Sequence, residues 1–192
     1  ILIEPNTNTI IAEFNSDSEI QPASMTKIMT SYVVADQIAN NLISHEDQVL
    51  ISEKAWKMEG SKMFIEAGKK VSVSDLLKGI IIQSGNDASV AIAEYAGGTE
   101  RGFVDLMNAY AQSLEMTNTI FKNSTGLPDE NHFSTVRDLG ILSNTIIRDF
   151  PELYEYFAMK EFLYNEINQP NRNRLLTHVI GADGLKTGYT KK

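Results

Sequence analysis

The stretch PASMTKIMTSY at residues 22–32 decides how this chain is interpreted, because it places Ser24 and Lys27 three residues apart. Its apolar residues recur with a helical period, which predicts a helix over residues 24–38. Residues three apart share one helix face, so the Lys27 amine can reach the Ser24 hydroxyl. A serine becomes a good nucleophile when a neighbouring base takes its proton, and a lysine is such a base only while neutral. We therefore predict a nucleophile and its base at the start of this helix.

Two further motifs follow. The S-x-N triplet at residues 84–86 lies on a predicted loop between two apolar helical stretches, where a hydroxyl and an amide can relay a proton and bind a peptide group. The K-T-G triplet at residues 186–188 continues to Tyr189 and Thr190 as a predicted strand edge, suited to a substrate carboxylate. Each motif alone also fits an ordinary cap, turn or exposed strand. All three in this order are a coincidence on the order of one in a hundred on average residue usage.

Composition excludes several classes of function. The chain has 192 residues, 42% of them hydrophobic, which is enough for one domain with its own core. Its net charge is −8 and its Lys and Arg residues are scattered, so no nucleic-acid partner is expected. There is no cysteine, and His45, His132 and His178 lack metal-ligand spacing, so no metal and no cofactor is expected. The aliphatic runs are too short to span a bilayer.

The predicted elements place strands at both ends of the chain and helices between them. Periodicity and turn signals predict an N-terminal hairpin over residues 1–12, helices near residues 24–38, 76–82, 88–97, 103–114 and from 135, and strands at 161–167 and 184–190. We expect one domain over residues 1–192, with a sheet lobe at about 1–45 and 160–192 and a helical lobe at about 46–159. A cleft between the lobes would bring the three motifs together.

The motifs and their surroundings resemble the serine D-alanyl-D-alanine carboxypeptidases, the low-molecular-weight penicillin-binding proteins. The resemblance is carried by residues 22–32, 80–88, 133–138 and 169–176, and it covers nearly the whole chain. It implies an α/β (α+β) fold of the β-lactamase/transpeptidase type, with an antiparallel sheet flanked by helices and an inserted helical lobe. It also implies removal of the terminal D-alanine from peptidoglycan stem pentapeptides, inhibition by β-lactams and an extracytoplasmic location.

The resemblance also implies a role for each site residue. Ser24 would form the acyl-enzyme, Lys27 would accept its proton, and Ser84 with Asn86 would assist proton transfer and substrate placement. The backbone N–H groups of Ser24 and Tyr189 would form the oxyanion hole. The residues implied in substrate binding are Lys186, Thr187, Gly188, Tyr189, Thr190 and Arg172.

Three features depart from the pattern of the family. Tyr189 stands where some members carry histidine, and the segment between Trp56 and Met63 is shorter than in familiar members. In the family two further strands follow the K-T-G strand and lie between it and the N-terminal hairpin, whereas this sequence stops at Lys192. Unpaired strand edges are costly when buried, so we expect an incomplete domain whose missing strands come from another chain or fragment. Membrane association is expected only through parts outside this chain.

Two alternative functions share the motifs. A class A β-lactamase needs a loop glutamate to activate the deacylating water, and residues 122–130 lack the expected Glu-x-x-Leu-Asn pattern. A sensor domain that is acylated by β-lactams without turnover is the other alternative. Sustained nitrocefin hydrolysis would favour the first, and failure to release D-alanine from a peptide would favour the second.

Overall fold

The computed structural model describes residues 1–189 of the chain. Its strands are β1 (Leu2–Glu4), β2 (Thr9–Ala12), β3 (Gln48–Leu50), β4 (Lys70–Ser72), β5 (Glu161–Tyr164) and β6 (Ile167–Pro170). Its helices are α1 (Thr26–Ala39), α2 (Glu53–Lys57), α3 (Val73–Lys78), α4 (Asn86–Gly97), α5 (Glu100–Ser113), α6 (Val136–Asp149), α7 (Pro151–Ala158) and α8 (Leu175–His178). A 3₁₀ turn, Ala23–Met25, precedes α1, and a π-helical turn, Gly79–Gln83, follows α3. None of these helices is long and apolar enough to cross a membrane.

Helix α1 is the centre of the core. Eleven of its 14 residues are buried, because α4, α5, α6 and the π-helical turn pack around it. Such all-round burial suits a helix with apolar residues on every side. The prediction of this helix is confirmed, and of its predicted core residues only Ile38 is partly rather than fully buried.

Helices α5 and α6 pack against the core with one face each. Phe103 and Met107 of α5 and Leu142 and Ile146 of α6 are fully buried, as their helical spacing predicts. Thr135 caps α6, accepting a hydrogen bond from the backbone N–H of Asp138 at 3.1 Å. The Asp138 carboxylate accepts instead from Asn118 and Thr119, so only half of the predicted capping box forms.

The described strands form three separate antiparallel pairs, β1 with β2, β3 with β4, and β5 with β6. The predicted single strand at residues 161–167 is wrong, because the chain reverses at Asn165 and Glu166, which have φ values of 47° and 61°. Two successive positive φ values are typical of a tight hairpin turn. The predicted strand at residues 184–190 is also not formed over 184–189, because no described strand pairs with this segment. Thr190 lies outside the described residues.

The Asp87 carboxylate fixes the wall beside the S-x-N motif. Asp87 is fully buried in the first turn of α4, and it accepts backbone N–H groups from Met63 at 3.0 Å, Phe64 at 3.0 Å and Ile65 at 3.3 Å. These residues belong to a segment without regular structure, whose N–H groups have no ladder to join. One carboxylate thus replaces a strand partner and ties residues 63–65 to α4.

We expect Asp87→Ala to lower the free energy of unfolding by about 3 kcal/mol, because it leaves several buried N–H groups without an acceptor. Asp105, an exposed carboxylate on α5, provides the matched control, and Asp105→Ala should change stability by less than about 0.5 kcal/mol. Urea denaturation of the full-length protein measures both values. Equal stability of the two variants would contradict this role for Asp87.

Candidate active site

Ser24 and Lys27 lie on the two sides of a helix boundary. Ser24 is half-buried in the 3₁₀ turn, one residue before Met25, which is the N-cap of α1. Lys27 lies in the first turn of α1, and 1% of its surface is exposed. The sequence prediction placed both residues in one α-helix. In a 3₁₀ turn, residues three apart lie nearly above one another. The Lys27 Nζ atom is accordingly 3.4 Å from the Ser24 Oγ atom.

Two carbonyl oxygens hold the Lys27 amine. Nζ donates to Asn86 Oδ1 at 2.8 Å and to the backbone oxygen of Thr125 at 2.5 Å. Burial lowers the pKa of Lys27 well below its ordinary value, the charge of Lys186 lowers it further, and Asp87 opposes both. A neutral amine has two N–H donors and one lone pair. Because the two oxygens take both donors, the lone pair is left for the hydroxyl of Ser24.

Ser84 and Asn86 lie at a backbone distortion, from which the Asn86 side chain reaches the Lys27 amine. The π-helical turn ends at Ser84, which has the left-handed values φ 65° and ψ 34°, and α4 begins at Asn86. Such a conformation is costly for a residue other than glycine and is common at functional sites. The Ser84 Oγ atom is buried and has no hydrogen-bond partner among residues 1–189. Its hydroxyl therefore has an unused donor and an unused acceptor.

The Asn86 side chain is fixed by the segment that follows Trp56. Asn86 Nδ2 donates to the Glu59 oxygen at 2.7 Å, and the Asn86 backbone N–H donates to the Ser61 oxygen at 2.7 Å. With Nδ2 engaged at Glu59, Oδ1 faces Lys27. This segment therefore lies beside the amine of Lys27 and orients its partner.

The K-T-G motif passes directly beside the turn that carries Ser24. A Cβ atom added to Gly188 would lie 2.8 Å from the Pro22 oxygen and 3.2 Å from the Cγ atom of Met25, so only glycine fits this close approach. Lys186 is half-buried, and burial together with the charge of Arg172 lowers its pKa to about 8. Lys186 is therefore mostly cationic at neutral pH.

Three of the remaining candidate binding residues, Arg172, Thr187 and Tyr189, lie within the described part of the chain. Thr187 and Tyr189 are exposed, and Thr190 lies outside the described residues. The Arg172 N–H donates to the Ile82 oxygen at 3.2 Å, which places Arg172 next to the S-x-N loop as well as near Lys186. The structure thus brings all three motifs and Arg172 together at one site. No group of three or more His, Asp or Glu side chains within residues 1–189 is placed to hold a metal ion.

The segment 122–132 contains site residues that the sequence analysis missed. Its Thr125 oxygen binds Lys27, and Gly126 packs so closely on the Ser24 turn that an added Cβ atom would lie 1.8 Å from the Ala23 oxygen. Gly126 has φ 82°, which also favours glycine. Gly126 is the sequence feature that could have indicated the close approach of this segment to the Ser24 turn.

His132 holds the S-x-x-K motif in place through a hydrogen bond to Thr26. Its ring is 3% exposed, with Nε2 2.9 Å from Thr26 Oγ1, while Nδ1 accepts the backbone N–H of Lys122 at 3.4 Å. An accepting Nδ1 places the ring proton on Nε2, so neutral His132 donates to Thr26. Burial lowers the pKa of His132 to about 4. His132 is thus a neutral anchor for the residue between Ser24 and Lys27.

We expect His132 to make the protein less stable in acid. An unfolded histidine gains a proton below its ordinary pKa near 6.5, whereas folded His132 stays neutral down to about 4. The unfolded state is therefore favoured as the pH falls from 6.5 to 4, by about 3 kcal/mol in total. Urea denaturation at several pH values measures this loss in the wild type, and His132→Gln should lack it. His178→Gln, at an exposed position, is the control and should keep the loss of stability in acid. The same dependence of the free energy of unfolding on pH in the wild type and His132→Gln would contradict the assignment.

The fold and the crevice define a protein of the penicillin-binding, transpeptidase-like class. The penicillin-binding protein 5 structure from Haemophilus influenzae matches 95% of this chain and 54% of its own, with 45% identity and a TM-score of 0.92. The D-alanyl-D-alanine carboxypeptidase DacD structure from Francisella tularensis matches 98% of this chain and 58% of its own, with 36% identity and a TM-score of 0.96. The α/β fold class that the sequence predicted is confirmed.

Sequence comparison then gives the family. The profile described as D-alanyl-D-alanine carboxypeptidase matches residues 1–192. D-alanyl-D-alanine carboxypeptidase DacC of Escherichia coli K12 is 46% identical over 197 residues, which cover 99% of this chain and 49% of DacC. The chain belongs to the D-alanyl-D-alanine carboxypeptidase family. It spans about half the length of the curated relatives it matches.

Proposed function

We propose that this chain carries the acyl-enzyme machinery of a serine D-alanyl-D-alanine carboxypeptidase, which removes the terminal D-alanine from peptidoglycan stem pentapeptides. The observation that carries the proposal is the buried Lys27 amine, held by two carbonyl oxygens with its lone pair left for Ser24. The names of the relatives support it, since DacC of Escherichia coli and DacF of Bacillus subtilis are D-alanyl-D-alanine carboxypeptidases.

In acylation, neutral Lys27 takes the hydroxyl proton of Ser24 while Oγ bonds to the carbonyl carbon of the last peptide bond. The C–N bond of that peptide then breaks, and the leaving amine of D-alanine receives a proton from protonated Lys27 through the unpartnered hydroxyl of Ser84. Asn86 holds the amine of Lys27 and the substrate peptide group. Water then hydrolyses the ester on Ser24, which returns the proton balance to its starting state.

The K-T-G side of the crevice binds the substrate carboxylate. Lys186 supplies a positive charge at neutral pH, and Thr187 offers a hydroxyl donor on an exposed segment. Arg172 adds a second cation near Lys186. The residues assigned to substrate binding are Lys186, Thr187, Gly188, Tyr189, Thr190 and Arg172.

β-Lactams are proposed inhibitors that acylate Ser24 as substrate mimics. A related protein, penicillin-binding protein D2 of Listeria monocytogenes, has been solved in an ampicillin-bound form, with 27% identity and a TM-score of 0.87. The loop 122–130 presents the backbone oxygen of Thr125 to Lys27, while its acidic residues Asp129 and Glu130 are exposed. This arrangement favours a carboxypeptidase over a β-lactamase, which needs a loop carboxylate at the ester.

We also propose that residues 1–192 are one catalytic domain, with a sheet lobe at about 1–45 and 160–192 and a helical lobe at about 46–159. Peptidoglycan, the proposed substrate, places the protein outside the cytoplasm, on the outer side of the inner membrane. Both proposals rest on the family and on the site, and both lose their support if the proposed activity is wrong.

We expect Ser24→Ala and Lys27→Arg to abolish D-alanine release. Ser24→Ala removes the attacking oxygen, and an arginine stays protonated, so either change should lower the rate at least about a thousandfold. Release of D-alanine from diacetyl-Lys-D-Ala-D-Ala by the full-length protein measures the rate, and binding of a fluorescent penicillin to Ser24 measures acylation. Lys57→Arg, on the exposed face of α2, is the matched control.

Three results would overturn the proposal. The first is D-alanine release by Ser24→Ala at the wild-type rate. The second is sustained nitrocefin hydrolysis, which would indicate a β-lactamase. The third is acylation of the full-length wild type without any release of D-alanine, which would indicate a sensor.

We expect acylation to have a rising and a falling limb with pH. The rate rises as Lys27 loses its proton, at a pH well below the ordinary pKa of lysine, and it falls above about 8 as Lys186 loses its charge. Lys186→Arg keeps the positive charge at alkaline pH, so its falling limb should move to higher pH. The second-order rate constant for penicillin acylation between pH 5 and 10 checks this, with Lys69→Arg as control. An unchanged alkaline limb in Lys186→Arg would refute the role of Lys186.

A further inference from the structure

A basic cavity of about 490 Å³ opens beside Arg172, outside the crevice described above. It lies between the end of β6, helix α8 and the turn before β5. Four of its lining residues carry a basic or titratable nitrogen atom in the side chain, namely Lys160, Arg172, Arg174 and His178. No Asp or Glu residue is among its lining residues.

These cations have no counter-charge within the part of the chain that the structure describes. None of Lys160, Arg172 and Arg174 belongs to an ion pair among residues 1–189, although the chain as a whole carries a net charge of −8. Like charges that converge without a partner repel one another, and a bound anion removes that repulsion. The cavity therefore concentrates a positive potential on an acidic protein.

The uncharged polar groups of the cavity are already engaged. Asn171 donates to the oxygens of Phe157 and Met159, and Asn173 donates to the oxygen of Gly184. The Nδ1 atom of His178 lies 2.8 Å from the Arg174 oxygen, which leaves Nε2 unengaged. The asparagines thus shape the walls, and the donors that remain for a ligand are the cationic groups.

The cavity is connected to the candidate active site through Arg172. Arg172 lines the cavity, its backbone N–H is bonded to Ile82 just before the S-x-N motif, and its charge lowers the pKa of Lys186. An anion in the cavity therefore lies next to the place where the terminal carboxylate of the substrate binds. A volume of a few hundred Å³ is within the usual range for small-ligand sites.

We propose that this cavity binds a second oxyanion, a carboxylate or a phosphate, carried by the same substrate whose terminal carboxylate Lys186 binds. Arginine pairs with either group in two-pronged geometry, and Lys160 adds a point contact. The inference rests on the proposed function, and it makes the enzyme selective for acidic peptides over amidated ones.

The first experiment compares two peptides that end in D-Ala-D-Ala and differ only in a side-chain carboxylate or carboxamide upstream. The full-length wild type should cleave the acidic peptide with a kcat/KM about fivefold higher, a preference of the size that one or two exposed ion pairs give. The double variant Lys160→Gln/Arg174→Gln should lose this preference and still cleave the amidated peptide at the wild-type rate. Lys69→Gln/Lys70→Gln, with the same charge change on an exposed edge, should keep the preference.

The second experiment measures anion binding without turnover. Calorimetric titration with tripolyphosphate should show binding to the full-length wild type that weakens with added NaCl and is lost in Lys160→Gln/Arg174→Gln. Because this measurement needs no catalysis, it decides on the cavity even if neither peptide is cleaved and the proposed function fails.

The outcomes separate the cavity from the activity. Loss of both the peptide preference and tripolyphosphate binding in the double variant supports the proposal. Equal binding by the wild type and the double variant, or no binding by either, overturns it. Loss of tripolyphosphate binding with an unchanged peptide preference also overturns it, since the cavity would then bind a free phosphate and not a group of the substrate.

Discussion

The desolvation of one lysine controls the arrangement of the whole site. A buried ammonium is expensive unless it is paired with a carboxylate, and the groups that contact the Lys27 amine are uncharged: a hydroxyl, an amide oxygen and a backbone oxygen. The surrounding fold therefore favours the neutral amine, which is the form that can take a proton. Helix α1 can bury this side chain because its other residues already make it the centre of the core.

Each partner of Lys27 is in turn held by a separate part of the chain. Asn86 is oriented by the oxygen of Glu59, and the segment around it is tied to α4 by Asp87. On the other side, Thr125 belongs to a loop that packs on the Ser24 turn through Gly126 and His132. The amine is thus clamped between two segments that are about 60 and 100 residues away in sequence.

Side chains in a short, fixed spacing were predictable from the sequence, and backbone contacts were not. The S-x-x-K spacing predicted that the Lys27 amine lies within reach of the Ser24 hydroxyl. The S-x-N and K-T-G triplets predicted that Asn86 and Gly188 lie near the same two residues. The Thr125 oxygen could not be predicted, because every residue has a backbone oxygen. His132 could not be predicted either, because a single histidine has no partner motif to identify it.

The errors in the strands have a similar physical origin. The turn at Asn165 and Glu166 lacks the glycine that marks most tight hairpins, so residues 161–167 resembled one strand, although the chain turns within them. The segment that carries K-T-G has the composition of a strand, but a strand exists only with a partner, and composition does not specify one. The five predicted helices, whose hydrogen bonds are local, were located within a few residues, whereas the short helices α2, α7 and α8 were not predicted.

The close approach of Gly188 to the carbonyl oxygen of Pro22 limits which residues this part of the cleft can contain. A methyl group at position 188 would lie only 2.8 Å from that oxygen, so the gap between the two backbones has no room for any side chain larger than that of glycine. Room for larger side chains is instead found beside this contact, where Tyr189 and Arg172 are exposed.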